Sequence, residues 1–100
     1  MTYEKSLDAL ADANRRALLE KLARGPSNVS TLAEGLNISR PAVSQHLKAL
    51  KDANLASDKA VGNRRIYKIN PEGLAALRAW LDDFWDSAML NLADEADLAD

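Results

Sequence analysis

Apolar residues recur along most of this chain at intervals of three and four, and in one stretch at intervals of two. The longer period predicts a first helix over 3–11, with Leu7 and Leu10 on one side, and a second to about Arg24 that buries Ala17, Leu18 and Leu22. A short third helix carries Leu32, Ala33 and Leu36 inward. A fourth, over 39–53, sets Val43, Leu47 and Leu50 at i, i+4 and i+7 as its core-facing stripe. Alternation over Leu55–Val61 and Arg64–Asn70 predicts two strands joined at Gly62-Asn63. From Pro71 the helical period returns, and Leu74, Leu77, Leu81, Phe84, Ala88 and Leu92 form the seam of a last helix ending near Leu92.

The punctuation between these segments agrees with them. Asp12 can cap the second helix by accepting from free first-turn amides, and Gly25-Pro26-Ser27 stops it. Ser30 is the expected cap of the third helix, and Asn37 is expected to turn the chain in the left-handed region. Ser39 caps the fourth, with Pro41 in its first turn where no amide donor is needed. Asn54 ends that helix where a glycine would be easiest. Asn70-Pro71-Glu72 opens the last one. The result is a mainly α chain of five helices with a small β-hairpin wing, one domain over 1–93, and an acidic tail over 94–100 expected to be frayed.

Steps of 100° fix what the fourth helix shows to solvent. Pro41, Ser44, Gln45 and Lys48 point outward, with Arg40 and Lys51 toward the margin. Ser44 and Gln45 can reach base edges, Gln suiting adenine. Arg40 and Lys48 are placed to neutralise phosphates, and Ser39 with the helix's N-terminal amides offers a further phosphate site. His46 lies on the flank, where it either donates to a phosphate or base or is a border histidine satisfied by a backbone carbonyl. Arg64 and Arg65 follow the hairpin tip, within reach of a minor groove or flanking phosphates, or else as charges guarding a ribbon edge. Tyr67 and Ile69 share a ribbon face and read as core. A groove-sized polar helix beside a basic ribbon is the pattern of a winged helix-turn-helix DNA reader.

Charge changes this picture only when mapped. The 100-residue chain has a net charge of −2, which looks wrong for a DNA binder. Yet all seven acids beyond Ala79 sit without a single Lys or Arg, whereas residues 1–78 hold 13 basic residues against 8 acids. The basic charge lies where the fourth helix and the ribbon are. On the last helix, Trp80, Trp85 and Met89 widen the seam beyond what a core this small can cover. The excess asks for a second subunit, with Leu7, Leu77, Trp80, Leu81, Phe84, Trp85 and Ala88 as the expected dimer interface. The competing arrangement has the tryptophans roofing the core of a monomer.

Cysteine is absent and His46 is the only histidine, which excludes disulfides, thiol chemistry and multi-histidine metal sites. No glycine-rich phosphate loop is present, and the reading is of a non-enzyme with no cofactor and no metal. No apolar run reaches the roughly 18 residues of a membrane span, and the N-terminal residues do not form a signal peptide, so the expected location is cytoplasmic.

The segments ALADANRRALLEKLARGP, STLAEGLNISRPAVSQHLKALKDANL and GNRRIYKINPEGLAALRAWL resemble the ArsR family of small bacterial winged-helix repressors, over Leu7 to Trp85. The pattern SxPxVSQHLKxL over Ser39 to Leu50, followed by the arginine-bearing wing, is the specific part. The resemblance implies a homodimer paired through its terminal helices and bound to operator DNA. It implies that Ser44, Gln45 and His46 contact DNA, with Arg64 and Arg65 as wing contacts. The departure is in the sensor. The stretch Ser30 to Leu36 has no cysteine, and the last helix offers Asp82, Asp83 and Asp86 without a histidine. The chain is more similar to metal-independent members, whose last helix carries a segment like Trp80 to Trp85.

The leading expectation is a homodimeric repressor on a pseudo-palindromic operator, with helix 39–53 in the major groove and wing 59–68 on the flanking backbone or minor groove. The alternative is a winged-helix protein–protein interaction module without specific DNA binding. An unknown small-molecule effector is left open.

Overall fold

The structure, a computed structural model, describes the backbone of residues 2–99 and the side chains of residues 4–93. Five helices and three strands follow one another as α1 (Thr2–Leu10), α2 (Ala13–Leu22), β1 (Ser27–Asn28), α3 (Val29–Ala33), α4 (Arg40–Asp52), β2 (Ala56–Val61), β3 (Arg64–Ile69) and α5 (Pro71–Ala99). The strands form one antiparallel sheet in the order β1-β3-β2. The architecture is the winged helix-turn-helix that the pattern predicts. The third strand is new: Ser27 and Asn28 pair with Tyr67 and Ile66, and two residues are too few to show a period.

The core is built on leucine. Leu18, Leu32, Val43, Leu47, Leu50 and Leu55 are fully sealed, drawn from α2, α3, α4 and the start of the wing. Tyr67 joins them from β3, with Ile69 packed alongside. Ala17 is only half-buried, and Leu19 leans on the core beside it. In α1, Ser6 and Ala9 are buried and Leu10 packs partly against the core, while Leu7 stands on the surface. Small residues let α1 approach the end of α4 closely, and the Ser6 hydroxyl is satisfied there by donating to the Ala53 carbonyl at 3.2 Å.

Two caps differ from expectation. Asn28, not Ser30, caps α3, accepting from the Thr31 amide at 2.9 Å. Either side chain suits the role, but Asn28 already holds extended backbone because β1 pairs with β3. The left-handed turn after α3 falls on Gly35 (φ 78°), not Asn37, because glycine adopts it without steric cost. The other expected caps are in place: Asp12 accepts from Asn14 and Arg15, Ser39 from Ala42, and Asn70 from Glu72.

The far end of α4 is where three elements meet. Asn54 takes the left-handed conformation (φ 66°), the Leu55 amide donates to Leu50 O at 2.9 Å, and the Asn54 amide donates to Lys51 O at 2.9 Å. This is a Schellman closure, with Leu50 and Leu55 as its apolar pair. The Asn70 amide then donates to Leu55 O at 3.0 Å, shutting the base of the hairpin just before α5 begins. At the tip Gly62 has φ 63° and Val61 pairs with Arg64, as a two-residue turn with glycine first requires.

Helix α5 runs to Ala99 rather than stopping near Leu92, because no Gly or Pro lies between Leu92 and Ala99 and Ala and Leu favour its continuation. The frayed tail expected over 94–100 falls outside the described side chains. Twenty-nine residues of helix span about 43 Å. The radius of gyration is 17.4 Å, against about 13 Å for a compact chain of this length, so α5 reaches well beyond the body.

One glycine in α5 is dictated by packing. A Cβ on Gly73 would lie 1.6 Å from the Asn54 carbonyl oxygen, which is backbone and cannot swing aside. Gly73→Ala should therefore destabilise the fold by about 2 kcal/mol or more, despite alanine's better helix propensity. Urea unfolding of the two proteins measures this directly.

Candidate nucleic-acid interface

Sealing Val43, Leu47 and Leu50 turns the opposite face of α4 to solvent. Pro41, Ser44, Gln45 and Lys48 are exposed there, as the 100° steps predict, and so are Ser39 and Arg40 at the start of the helix. Arg64 and Arg65 are exposed at the wing tip. The helix and the ribbon are joined directly, because α4 leads into β2 through the closure at Asn54.

The partners of these side chains divide them. Lys48 is paired with Asp52 one turn on, Nζ to Oδ2 at 2.8 Å, an exposed contact that salt screens and a phosphate can replace. Arg40 and Arg64 make no side-chain hydrogen bond or ion pair with any described residue. The N-terminus of α4 is less open than the sequence suggests. Pro41 has no amide, the Ser39 hydroxyl takes the Ala42 amide at 3.3 Å, and the Ser39 carbonyl takes that of Val43 at 3.0 Å. Of the first turn, the Arg40 amide remains.

His46 is the border residue between α4 and α2. Its side chain is 20 % exposed, with Nδ1 accepting from Arg15 Nε at 3.4 Å and lying 4.0 Å from Asp12 Oδ1. The partner is thus a side-chain donor on α2 and not a backbone carbonyl. With Nδ1 turned to α2, Nε2 is the ring atom left for anything outside. Asp12 is a cap as well as a neighbour. The Arg15 amide, and to a smaller extent that of Asn14, holds its carboxyl below the usual carboxylate range.

The group that sequence reasoning missed is Asp58. Its side chain is 7 % exposed, with Oδ1 2.8 Å from Lys51 Nζ and Oδ2 3.0 Å from Arg65. The Lys51 bond is the main reason its carboxyl stays below the usual range. Burial opposes this, and the Arg65 bond adds to it. The same contact raises the Lys51 ammonium above its ordinary value. A signal was available in the alternation of the strands. Asp58, Tyr67 and Arg65 fall on one face of the ribbon, and Arg64 on the other. The two neighbouring arginines therefore leave the strand on opposite faces of the ribbon.

On α5 the expected interface residues divide by depth. Leu77 leans on the chain's own core, and Trp80 stacks on Phe84 with ring centroids 5.6 Å apart. Leu81, Phe84 and Trp85 stand 54–60 % exposed, and Leu7 on α1 is also at the surface. Ala88 is half-buried. Among the described residues, no group of three or more His, Cys, Asp or Glu is arranged to hold a metal ion, and no helix is long and apolar enough to cross a membrane.

The pKa directions fix a pH window. A carboxylate held low in the fold, as Asp58, Asp12 and Asp52 are, contributes stability above its unfolded value of about 4, and loses it as pH falls through the folded value. A lysine held high, as Lys51 is, contributes below its unfolded value of about 10.4 and loses it as pH rises further. The thermal midpoint should be level from about pH 5 to 9 and fall below about pH 4. Asp58→Asn should flatten the acid limb in melts followed by circular dichroism.

Comparison with known proteins supplies the family. Residues 12–58 match the bacterial regulatory proteins of the arsR family. The chain is 52 % identical, over 94 % of its length and 88 % of the relative's, to the HTH-type transcriptional regulator Rv2034 of Mycobacterium tuberculosis. It is 36 % identical, over 76 % of its length and 84 % of the relative's, to the transcriptional repressor SdpR of Bacillus subtilis. Its fold superposes with a TM-score of 0.69 at 28 % identity on the homodimeric winged helix-turn-helix DNA-binding domain Mb0332 of Mycobacterium bovis, covering 88 % of this chain and 82 % of that one. With its polar recognition helix and basic wing on one body, the chain belongs to the ArsR family and is a DNA-binding transcriptional regulator, not an enzyme.

Proposed function

We propose that this regulator is a cytoplasmic homodimeric repressor that reads a pseudo-palindromic operator. The observation that carries the reading is the two-sidedness of α4, with Val43, Leu47 and Leu50 sealed below and Ser44, Gln45 and Lys48 open above. Gln45 and Ser44 read base edges in the major groove. Ser39, Arg40 and Lys48 hold phosphates beside it, and His46 offers Nε2 at the edge of the helix. Arg64 neutralises a flanking phosphate or enters the minor groove from the wing. Arg65 borders the same backbone at the tip.

Two copies pair through Leu7, Leu77, Trp80, Leu81, Phe84, Trp85 and Ala88. The support is the exposure of Leu81, Phe84 and Trp85, with Met89, Leu90 and Leu92 beyond them, on a helix that outruns its own core. The repressor SdpR and the homodimeric mycobacterial domain support the same assignment for this chain.

Selection of binding duplexes from a random pool, followed by anisotropy titration over a range of salt, tests the reading. A short palindrome bound at least about a thousandfold more tightly than random duplex is the expected result, and equal affinity for both would refute specific recognition. Gln45→Ala should cost about 1–3 kcal/mol on that palindrome and little on random DNA. Arg64→Ala should weaken both duplexes and lower the salt slope by about 1. Phe84→Ser with Trp85→Ser should give folded monomers in sedimentation, because neither side chain is sealed within the protomer. Retention of the dimer would place the interface elsewhere.

A further inference from the structure

We propose that Asp58 is a positioning residue for DNA recognition, locking the wing to the recognition helix through Lys51 and Arg65. The proposal rests on the reading of α4 and the wing as a DNA-reading pair. Lys51 belongs to the last turn of α4, Asp58 to β2 and Arg65 to β3, so one carboxylate ties three successive elements. Both its oxygens are engaged, and the side chain is nearly sealed from water.

An acid here is otherwise hard to account for. Between Arg40 and Lys68 the chain carries seven basic residues and only two acids, Asp52 and Asp58. A negative charge beside a phosphate-binding face weakens DNA binding by simple Coulomb repulsion. Burying it between two cations spends the charge inside the protein and returns a fixed geometry. The wing needs such a tie. Its inner half is held by the pairing of β1 with Ile66 and Tyr67 and by the burial of Tyr67, but its outer half, Lys59 to Arg65, is exposed on both strands. Strand alternation completes the division of labour: Arg65 faces the clamp, and Arg64, on the other face, is left for the phosphate.

The experiment compares Asp58→Asn, Arg65→Ala and Arg64→Ala in the full chain, each titrated with the selected palindrome and with random duplex across a range of salt. Asp58→Asn should bind the palindrome about tenfold more weakly, yet bind random duplex more tightly because a negative charge has gone. Arg65→Ala should weaken the palindrome with its salt slope unchanged, whereas Arg64→Ala lowers the slope by about 1 on both duplexes. A rise in affinity for both duplexes in Asp58→Asn would overturn the clamp, as would a slope lowered by about 1 in Arg65→Ala. Nitrogen-15 relaxation of the wing amides in the DNA-free protein reads the clamp without an operator. The wing should be rigid in the parent and mobile in Asp58→Asn and Arg65→Ala, and equal rigidity in all three would overturn the proposal. Should Asp58→Asn fail to fold, Arg65→Ala decides alone, since its side chain is half exposed. Absence of any preferred duplex for the parent would refute the operator reading, while the relaxation result still judged the clamp.

Discussion

The burial of one stripe of α4 sets the direction of the helix face proposed to meet DNA. Val43, Leu47 and Leu50 have no exposed surface. Each such side chain contributes about 1.5–3 kcal/mol when sealed, so turning the helix by a single residue would cost several kcal/mol. No surface ion pair on the helix approaches that. The polar face therefore points outward because the apolar face cannot, and Ser44, Gln45 and Lys48 inherit their direction from the core beneath them. A substitution in the leucine core would disturb DNA reading without touching a DNA contact.

Orientation along the helix axis is set at its far end. The Schellman closure on Asn54, the Leu55–Asn70 hydrogen bond and the close passage of Gly73 over the Asn54 carbonyl gather α4, the wing and α5 into one junction. Ser6 adds α1 to it through the Ala53 carbonyl. The consequence reaches function. The face proposed to read DNA and the helix that carries the surplus apolar surface leave the same point, so their relative direction is fixed within the chain. In a two-fold pair, that direction sets the separation of the two recognition helices.

The legible parts of the fold were those written locally. The stripe of α4, its Ser39–Pro41 opening, the Gly62-Asn63 tip and the Asn70 cap each lie within a few residues of what they control. Where two good local candidates compete, as Ser30 with Asn28 or Asn37 with Gly35, tertiary pairing and glycine's freedom decide, and proximity in sequence does not. Contacts that close long loops leave no period to read. Ser6 meets Ala53 across 47 positions, and His46 meets Arg15 across 31. Asp58 reads as one acid in a basic stretch until the fold brings Lys51 and Arg65 to it. The candidate site was thus visible as a set of exposed residues, while the ties that hold them in register were not.

Two copies joined along α5 would set two α4 helices on one side of a duplex. Hydroxyl-radical footprinting of the selected palindrome measures that arrangement most directly. The account predicts two equivalent protected patches, centred one helical turn or about 34 Å apart and flanked by shorter protections from the wings. A single uninterrupted patch the width of one protomer, or protection without two-fold symmetry, would contradict it.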